Sequence, residues 1–287
     1  MNGVAYLDDK LYIACEKSKS LIVFLVVAGA ADIAEEEATL TFTRQTPLTI
    51  KDLERPLDMA ACRTNRCLYV ADFGGVVLRV YPASGRVERW LDGAKGEASF
   101  SGLSVTGDGR VLATMSKDGR VQIYSATDAR LMTEVLLPRR TSTKPQHAVA
   151  TPTGNIVVSA IVNAADASGE PVELHVVGDV SPTGAPTAAD YGGPRGGGPD
   201  RLYCPRHVAV DDAAGRGAEQ IVYVADSNNH RIVALDVRRL NRVAIVDCVD
   251  TTDQPWRLCV GRVAGLAFLV VGMVKGGVDV YQMNYFS

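Results

Sequence analysis

Three residues able to ligate a metal or carry a proton recur at one register of this chain. Asp58, His147 and His207 each stand two residues after a proline, in "PLDMAAC", "PQHAVAT" and "PRHVAVD". Arg257 holds the same place in "PWRLCVG", and glycines hold it in "FSGLSVT" (Gly102) and near the start of the chain (Gly3). Two imidazoles and a carboxylate form a common donor set for zinc or non-haem iron. The competing expectation is a polar ring at a channel entrance, bonded to backbone groups or water. Asp58 lies two repeat units from His147, so convergence on one ion is not expected. No metal, cofactor or catalytic residue is assigned.

A second set of residues could bind a partner. Arg55, Arg139, Arg140, Lys144, Arg195, Arg201, Arg206 and Arg257 fall in or beside loops that lead into equivalent strands. Tyr203 and Trp256 lie among them and could stack on bases or anchor a peptide. Asp52, Glu54, Asp250 and Asp253 are interleaved, the net charge is −3, and aromatics make up only 6% of the chain. These features weigh against a nucleic-acid surface. A protein partner is the first expectation, single-stranded RNA the second, and a metal-dependent lyase or hydrolase a distant third. Neither a nucleophile elbow nor a phosphate-binding glycine loop is present, and no small-molecule substrate is identified.

The elements that must position these residues repeat. Apolar positions equivalent to Tyr69 in "LYVADF" occur at Tyr12, Leu112, Val157, Tyr223 and Leu269. Three of the five intervals fall near about 45 residues, the length of a four-stranded propeller blade. A short apolar strand precedes each anchor, and another follows it, with period-two alternation and polar turns such as "TGDG" and "SKDG" between. This predicts an all-β, six-bladed propeller in one domain. The blades span approximately 1–50, 51–98, 99–142, 143–200, 201–252 and 253–287, with the first strand of each lining the channel.

The turn in "YVADSNNHRIVALD" resembles the signature of the NHL repeat, and "YVADFGGVVLRVYP" is a second, eroded copy. The resemblance implies a propeller used mainly for interaction, often as the C-terminal domain of tripartite-motif ubiquitin ligases, with RNA binding in some members. Asp72, Asp226, Asn228, Asn229, His230 and Arg231 are read as structural, with the asparagines taking left-handed turn geometry. The amidating lyase built on NHL-like repeats has its histidines directly after the blade-leading proline. His147 and His207 stand one residue later, which turns them to the other side of the strand.

The last blade offers three strands, "PWRLCVG", "LAFLVVGMV" and "GVDVYQM", and so an exposed edge. The alternative, which this reading favours, is a fragment lacking an N-terminal outer strand and any RING or B-box module. Residues 178–200 are rich in Gly and Pro and are expected to form a mobile loop in the slot of blade four's outer strand. Among six cysteines only Cys62 and Cys67 are close in sequence, and free thiols are expected. With no signal-like N-terminus and no apolar run long enough to span a bilayer, a cytoplasmic, membrane-free protein is expected.

Overall fold

The computed structural model describes residues 2–29, 39–93, 100–137, 142–152, 154–165, 168, 170–181, 186–211, 220–247 and 253–283. The alternating segments pair into six antiparallel sheets. Blade one holds Gly3–Leu7, Lys10–Cys15, Ser20–Ala28 and Leu40–Arg44, with Leu48–Thr49 also pairing on its third strand. Blade two holds Pro56–Cys62, Cys67–Asp72, Val76–Tyr81 and Arg86–Asp92. Blade three holds Phe100–Val105, Arg110–Met115, Arg120–Ser125 and Leu131–Leu136. Blade four holds Ser142–Ala150, Ile156–Ala165, Pro171–Val180 and Pro186–Pro194. Blade five holds Pro205–Val210, Ile221–Asp226, Arg231–Asp236 and Arg242–Asp247, and blade six holds Pro255–Val263, Leu266–Met273 and Val278–Gln282.

The first strand of each blade packs on the first strand of the next, and the sixth returns to the first. The chain is therefore a closed six-bladed propeller. Its core lies between blades, because neither face of a small sheet can be left wet. Tyr69, Trp90 and Tyr124 form one such layer between blades two and three, with successive ring centroids 4.6 and 6.0 Å apart. Blades six and one close the ring by side-chain packing. Tyr6 meets Phe268 edge-on at 5.1 Å, Phe42 meets it at 6.2 Å, and the Tyr6 hydroxyl donates to the Arg262 carbonyl at 3.0 Å.

Blade six has three strands, as the sequence suggests. Val278, Val280 and Tyr281 on its third strand are only half-buried, whereas Val121 and Val233 on the corresponding strands of blades three and five are fully buried.

Blade four departs from expectation. Part of the Gly/Pro-rich segment is its outer strand, Pro186–Pro194, paired antiparallel on Pro171–Val180. Tyr191 anchors this strand, 6% exposed, with its hydroxyl donating to the Pro199 carbonyl at 2.6 Å. Gly192, at φ +109°, passes so close to its neighbour that a Cβ would sit 2.3 Å from the His175 carbonyl oxygen. The connection between the third and fourth strands of blade one, with Glu35, Glu36 and Glu37, falls largely on residues outside the described set.

Candidate functional site: an axial cluster under an arginine-aromatic face

Five of the six inner strands carry a register shift near their start, between Pro56 and Asp58, Phe100 and Gly102, Pro145 and His147, Pro205 and His207, and Pro255 and Arg257. A bulge places one extra residue on a strand and re-aims the next side chain. Leu57, Ser101, Gln146, Arg206 and Trp256 thus sit at the bulge, on the face where inner strands begin (the top face). The residues after them turn into the axis. Asp58, His147 and His207 thus lie buried at the axis.

The expectation that these residues stay apart is wrong. Asp58 Oδ2 lies 3.4 Å from His147 Nε2 and 3.6 Å from His207 Nε2, although the three residues come from blades two, four and five. The reason is Gly102 in blade three. A Cβ there would lie 2.4 Å from His147 Cδ2, so the missing side chain is the space through which His147 crosses. The imidazoles stack with centroids 3.6 Å apart and planes 25° from parallel.

Arg257 completes the cluster, and its position is a second correction. It was expected on the binding face, but it is 6% exposed and fills the axis. Its Nε lies 3.2 Å from Asp58 Oδ1. The guanidinium also donates to the carbonyls of Asn2 (3.2 Å) and Leu57 (2.7 Å), tying blade six to blades one and two. Asp58 Oδ2 accepts the Leu103 amide at 2.8 Å.

The hydrogen bonds fix how each histidine is used. His147 Nε2 faces the Leu103 carbonyl at 2.9 Å, and a carbonyl only accepts, so this nitrogen carries a hydrogen. His207 Nδ1 accepts the Leu258 amide at 3.4 Å, so its hydrogen is on Nε2, towards Asp58. His147 Nδ1 is buried without a partner. Burial drives the His207 pKa down to about 3, helped by His147 and opposed by Asp58. Burial would raise the Asp58 pKa, but Arg257, His207 and His147 pull it well below the usual carboxylate range.

Asp58, His147 and His207 are close enough together to be considered as a metal centre. Their geometry fits that role badly. An imidazole ligates in its own plane, and two nearly parallel rings 3.6 Å apart aim their lone pairs along parallel lines. Both facing nitrogens carry hydrogens, and Arg257 already neutralises the carboxylate. The arrangement works as a polar lock that joins all six blades, with side chains from blades two, four, five and six and backbone partners in blades one, two, three and six.

Below the lock lies a cavity of about 690 Å³, open towards the bottom face, with His147 and His207 in its floor and Arg63 and Arg110 at its rim.

Above the lock, the remaining expected residues form a partial arc. Arg206 Nη1 donates to Gln146 Oε1 at 2.9 Å, and its guanidinium carbon lies 4.7 Å from the centre of the half-buried Trp256 ring. Arg195 lies 5.9 Å from the Tyr203 ring. Arg201 and Lys144 are exposed. Arg55 stands apart on blade two, 3.4 Å from Glu16 and 5.5 Å over Phe73, an exposed aromatic that the sequence reading missed. Arg139 and Arg140 lie outside the described residues.

The repeat signature is structural. Asp226, fully buried, accepts the Tyr203 amide at 2.6 Å, Asn229 Nδ2 at 2.7 Å and Arg231 Nε at 2.8 Å. Arg231 Nη2 continues to the carbonyls of Arg201 (2.7 Å) and Gly198 (3.0 Å), fixing the connection from blade four. Among the described residues, Asp72 in the eroded copy accepts the Glu54 and Arg55 amides alone, at 2.8 and 2.6 Å. The left-handed residue of the turn is His230, at φ 54°, and the asparagines lie in a short 3-10 turn before it.

No protein-family model and no curated protein matches this sequence. Solved structures share the architecture. Kuenenia stuttgartiensis hydrazine synthase is 15% identical with a TM-score of 0.65, covering 99% of this chain and 84% of that one. The β-propeller domain of Myceliophteria thermophila Cps50 (Swd1) is 13% identical with a TM-score of 0.57, covering 99% and 83%. Streptogramin B lyase is 10% identical with a TM-score of 0.58, covering 99% and 83%. At these identities the likeness shows a β-propeller fold alone.

Proposed function

We propose that this chain is a non-enzymatic binding propeller of the NHL type, which docks a protein partner on its top face. In a longer polypeptide carrying a RING module it would serve as the substrate-recognition end of a tripartite-motif-like ubiquitin ligase. The observation that carries the docking reading is the Gln146–Arg206–Trp256 cluster, because aromatic and arginine side chains held in place above a packed core are what protein interfaces use as anchors. The axial lock supports the non-catalytic part, since its donors and charges are engaged with backbone and with one another. A cytoplasmic setting is part of the same proposal. Among the described residues no helix is long and apolar enough to cross a membrane.

RNA binding is the second reading, favoured by Lys144, Arg195, Arg201 and Arg206, which have no ion-pair partner among the described residues. A photo-crosslinker placed at Trp256 on the top face, with Arg63 on the bottom face as the control site, tests both. The docking reading expects one defined protein captured from native lysate at Trp256 and not at Arg63, displaced by excess unlabelled chain. Capture only from the bottom face, or of RNA alone, overturns it.

A further inference from the structure

We propose that the top face recognises an acidic peptide segment, with Arg206 as its central carboxylate reader. This rests on the docking reading above and narrows the partner to one chemistry. Arg206 is pre-positioned. Its Nη1 is held by Gln146, which in turn donates to the Lys144 carbonyl at 3.1 Å, and its planar group lies over Trp256. Its side chain also bonds the Cys204 thiol, and its Nε is buried, so the Nη groups are what it can offer a ligand. A guanidinium held this way has already lost most of its rotamer freedom, so an incoming carboxylate meets donors in a fixed fork.

The cations around it differ in how they are paired. Arg257 shares the Trp256 ring at 5.8 Å, but Asp58 neutralises it from below. Among the described residues neither Arg206 nor Lys144, Arg195 and Arg201 on the same arc has a carboxylate at ion-pair distance, and the nearest acidic influence at Cys204 comes from Asp226 and Glu173. On blades one and two, by contrast, Arg55 already faces Glu16. The unbalanced positive charge therefore sits over blades four and five, beside Trp256.

The same contacts favour a peptide over RNA. Base stacking needs an open aromatic face. Trp256 is covered by Arg206 and Arg257, and Arg195 lies against Tyr203. What these platforms present outward is guanidinium, which suits Asp and Glu side chains.

The test is calorimetric titration of the full chain with a Glu/Asp-rich decapeptide, a Lys-rich decapeptide and an oligouridine RNA. The acidic peptide alone should bind, with affinity falling severalfold between about 50 and 300 mM salt, as expected for exposed charges. Arg206→Gln should weaken it at least ~10-fold, a loss of the size expected for a charge-assisted pair. Lys144→Gln, at an exposed position, should weaken it less, and Arg63→Gln on the bottom face should leave it unchanged. Lys144→Gln keeps the test decisive should Arg206→Gln fail to fold, since an unchanged affinity there overturns the arc. Absence of acidic-peptide binding, undiminished binding by Arg206→Gln, or tighter binding of RNA also overturns the proposal. Crosslinking of a protein at Trp256 without acidic-peptide binding would leave docking standing and remove only this inference.

Discussion

Asp58 and His207 meet across the axis, Oδ2 to Nε2 at 3.6 Å, from blades that face one another in the ring. With His147 and Arg257 they bring blades two, four, five and six to one point, and their backbone partners add blades one and three. Among the described residues the interface of blades six and one is held by side-chain packing and by the Tyr6–Arg262 and Arg257–Asn2 hydrogen bonds, and the axial cluster fastens it to the rest of the ring.

Removing the carboxylate should therefore cost more than its own bonds. Asp58→Ala leaves Arg257 as an uncompensated buried charge, and breaking a buried pair from one side costs about 3–5 kcal/mol. Urea unfolding of this variant should show a loss of that size. The double variant Asp58→Ala/Arg257→Met should recover a substantial part of it.

The lock makes stability depend on pH. His207 in the folded chain has its pKa lowered to about 3 by burial, against about 6.5 in an unfolded chain. Between these values the unfolded chain binds a proton that the folded chain cannot. The contribution is fully present above the unfolded value and is lost as pH falls towards the folded one, with a slope of up to ~1.4 kcal/mol per pH unit. Asp58, held below its ordinary value, adds loss of the same sign at lower pH. Denaturation midpoints measured from pH 7 to pH 4 should fall, and His207→Gln should flatten the upper part of that fall.

Gly102 is predicted to be intolerant for a reason specific to His147. Gly102→Ala would force a Cβ to within 2.4 Å of His147 Cδ2 and 3.2 Å of the Gln146 carbonyl. Overpacking of this kind costs about 1–3 kcal/mol. In a His147→Ala background the cost should shrink, giving a coupling above about 0.5 kcal/mol in a double-mutant cycle.

The two copies of the repeat signature should differ in consequence. Asp226→Ala strands Arg231, which is 7% exposed, and frees the connection from blade four. Asp72→Ala removes only two amide bonds. We expect a loss of about 3 kcal/mol or more for the first and about 1–2 kcal/mol for the second. Hydrogen exchange at residues 196–203 should accelerate only in Asp226→Ala.

The architecture was legible because strand alternation and the 45-residue spacing act within a blade, where sequence neighbours are also neighbours in space. Even the short last blade could be counted. The strand at Pro186–Pro194 was hidden because backbone pairing and Tyr191 hold it without an apolar pattern. The register of Asp58, His147, His207 and Arg257 could be read from the proline spacing. Their convergence could not, because it depends on the emptiness at Gly102, which appears in a linear alignment as a gap in a ligand set. Arg257 was read both at that register and on the binding face, and the bulge at Trp256 decides for the axis. Phe73 went unnoticed because it replaces a polar turn residue in the eroded repeat.

The claim on which this account turns is that the axial cluster is a structural lock with both histidines committed. Long-range ¹H–¹⁵N NMR of the imidazoles at pH 5, before and after one equivalent of zinc, tests it most directly. The account predicts His207 neutral with its hydrogen on Nε2, His147 also carrying hydrogen on Nε2, and no change in either on adding zinc. A protonated His207, or zinc-induced shifts on the Nε2 atoms of both rings, would contradict it.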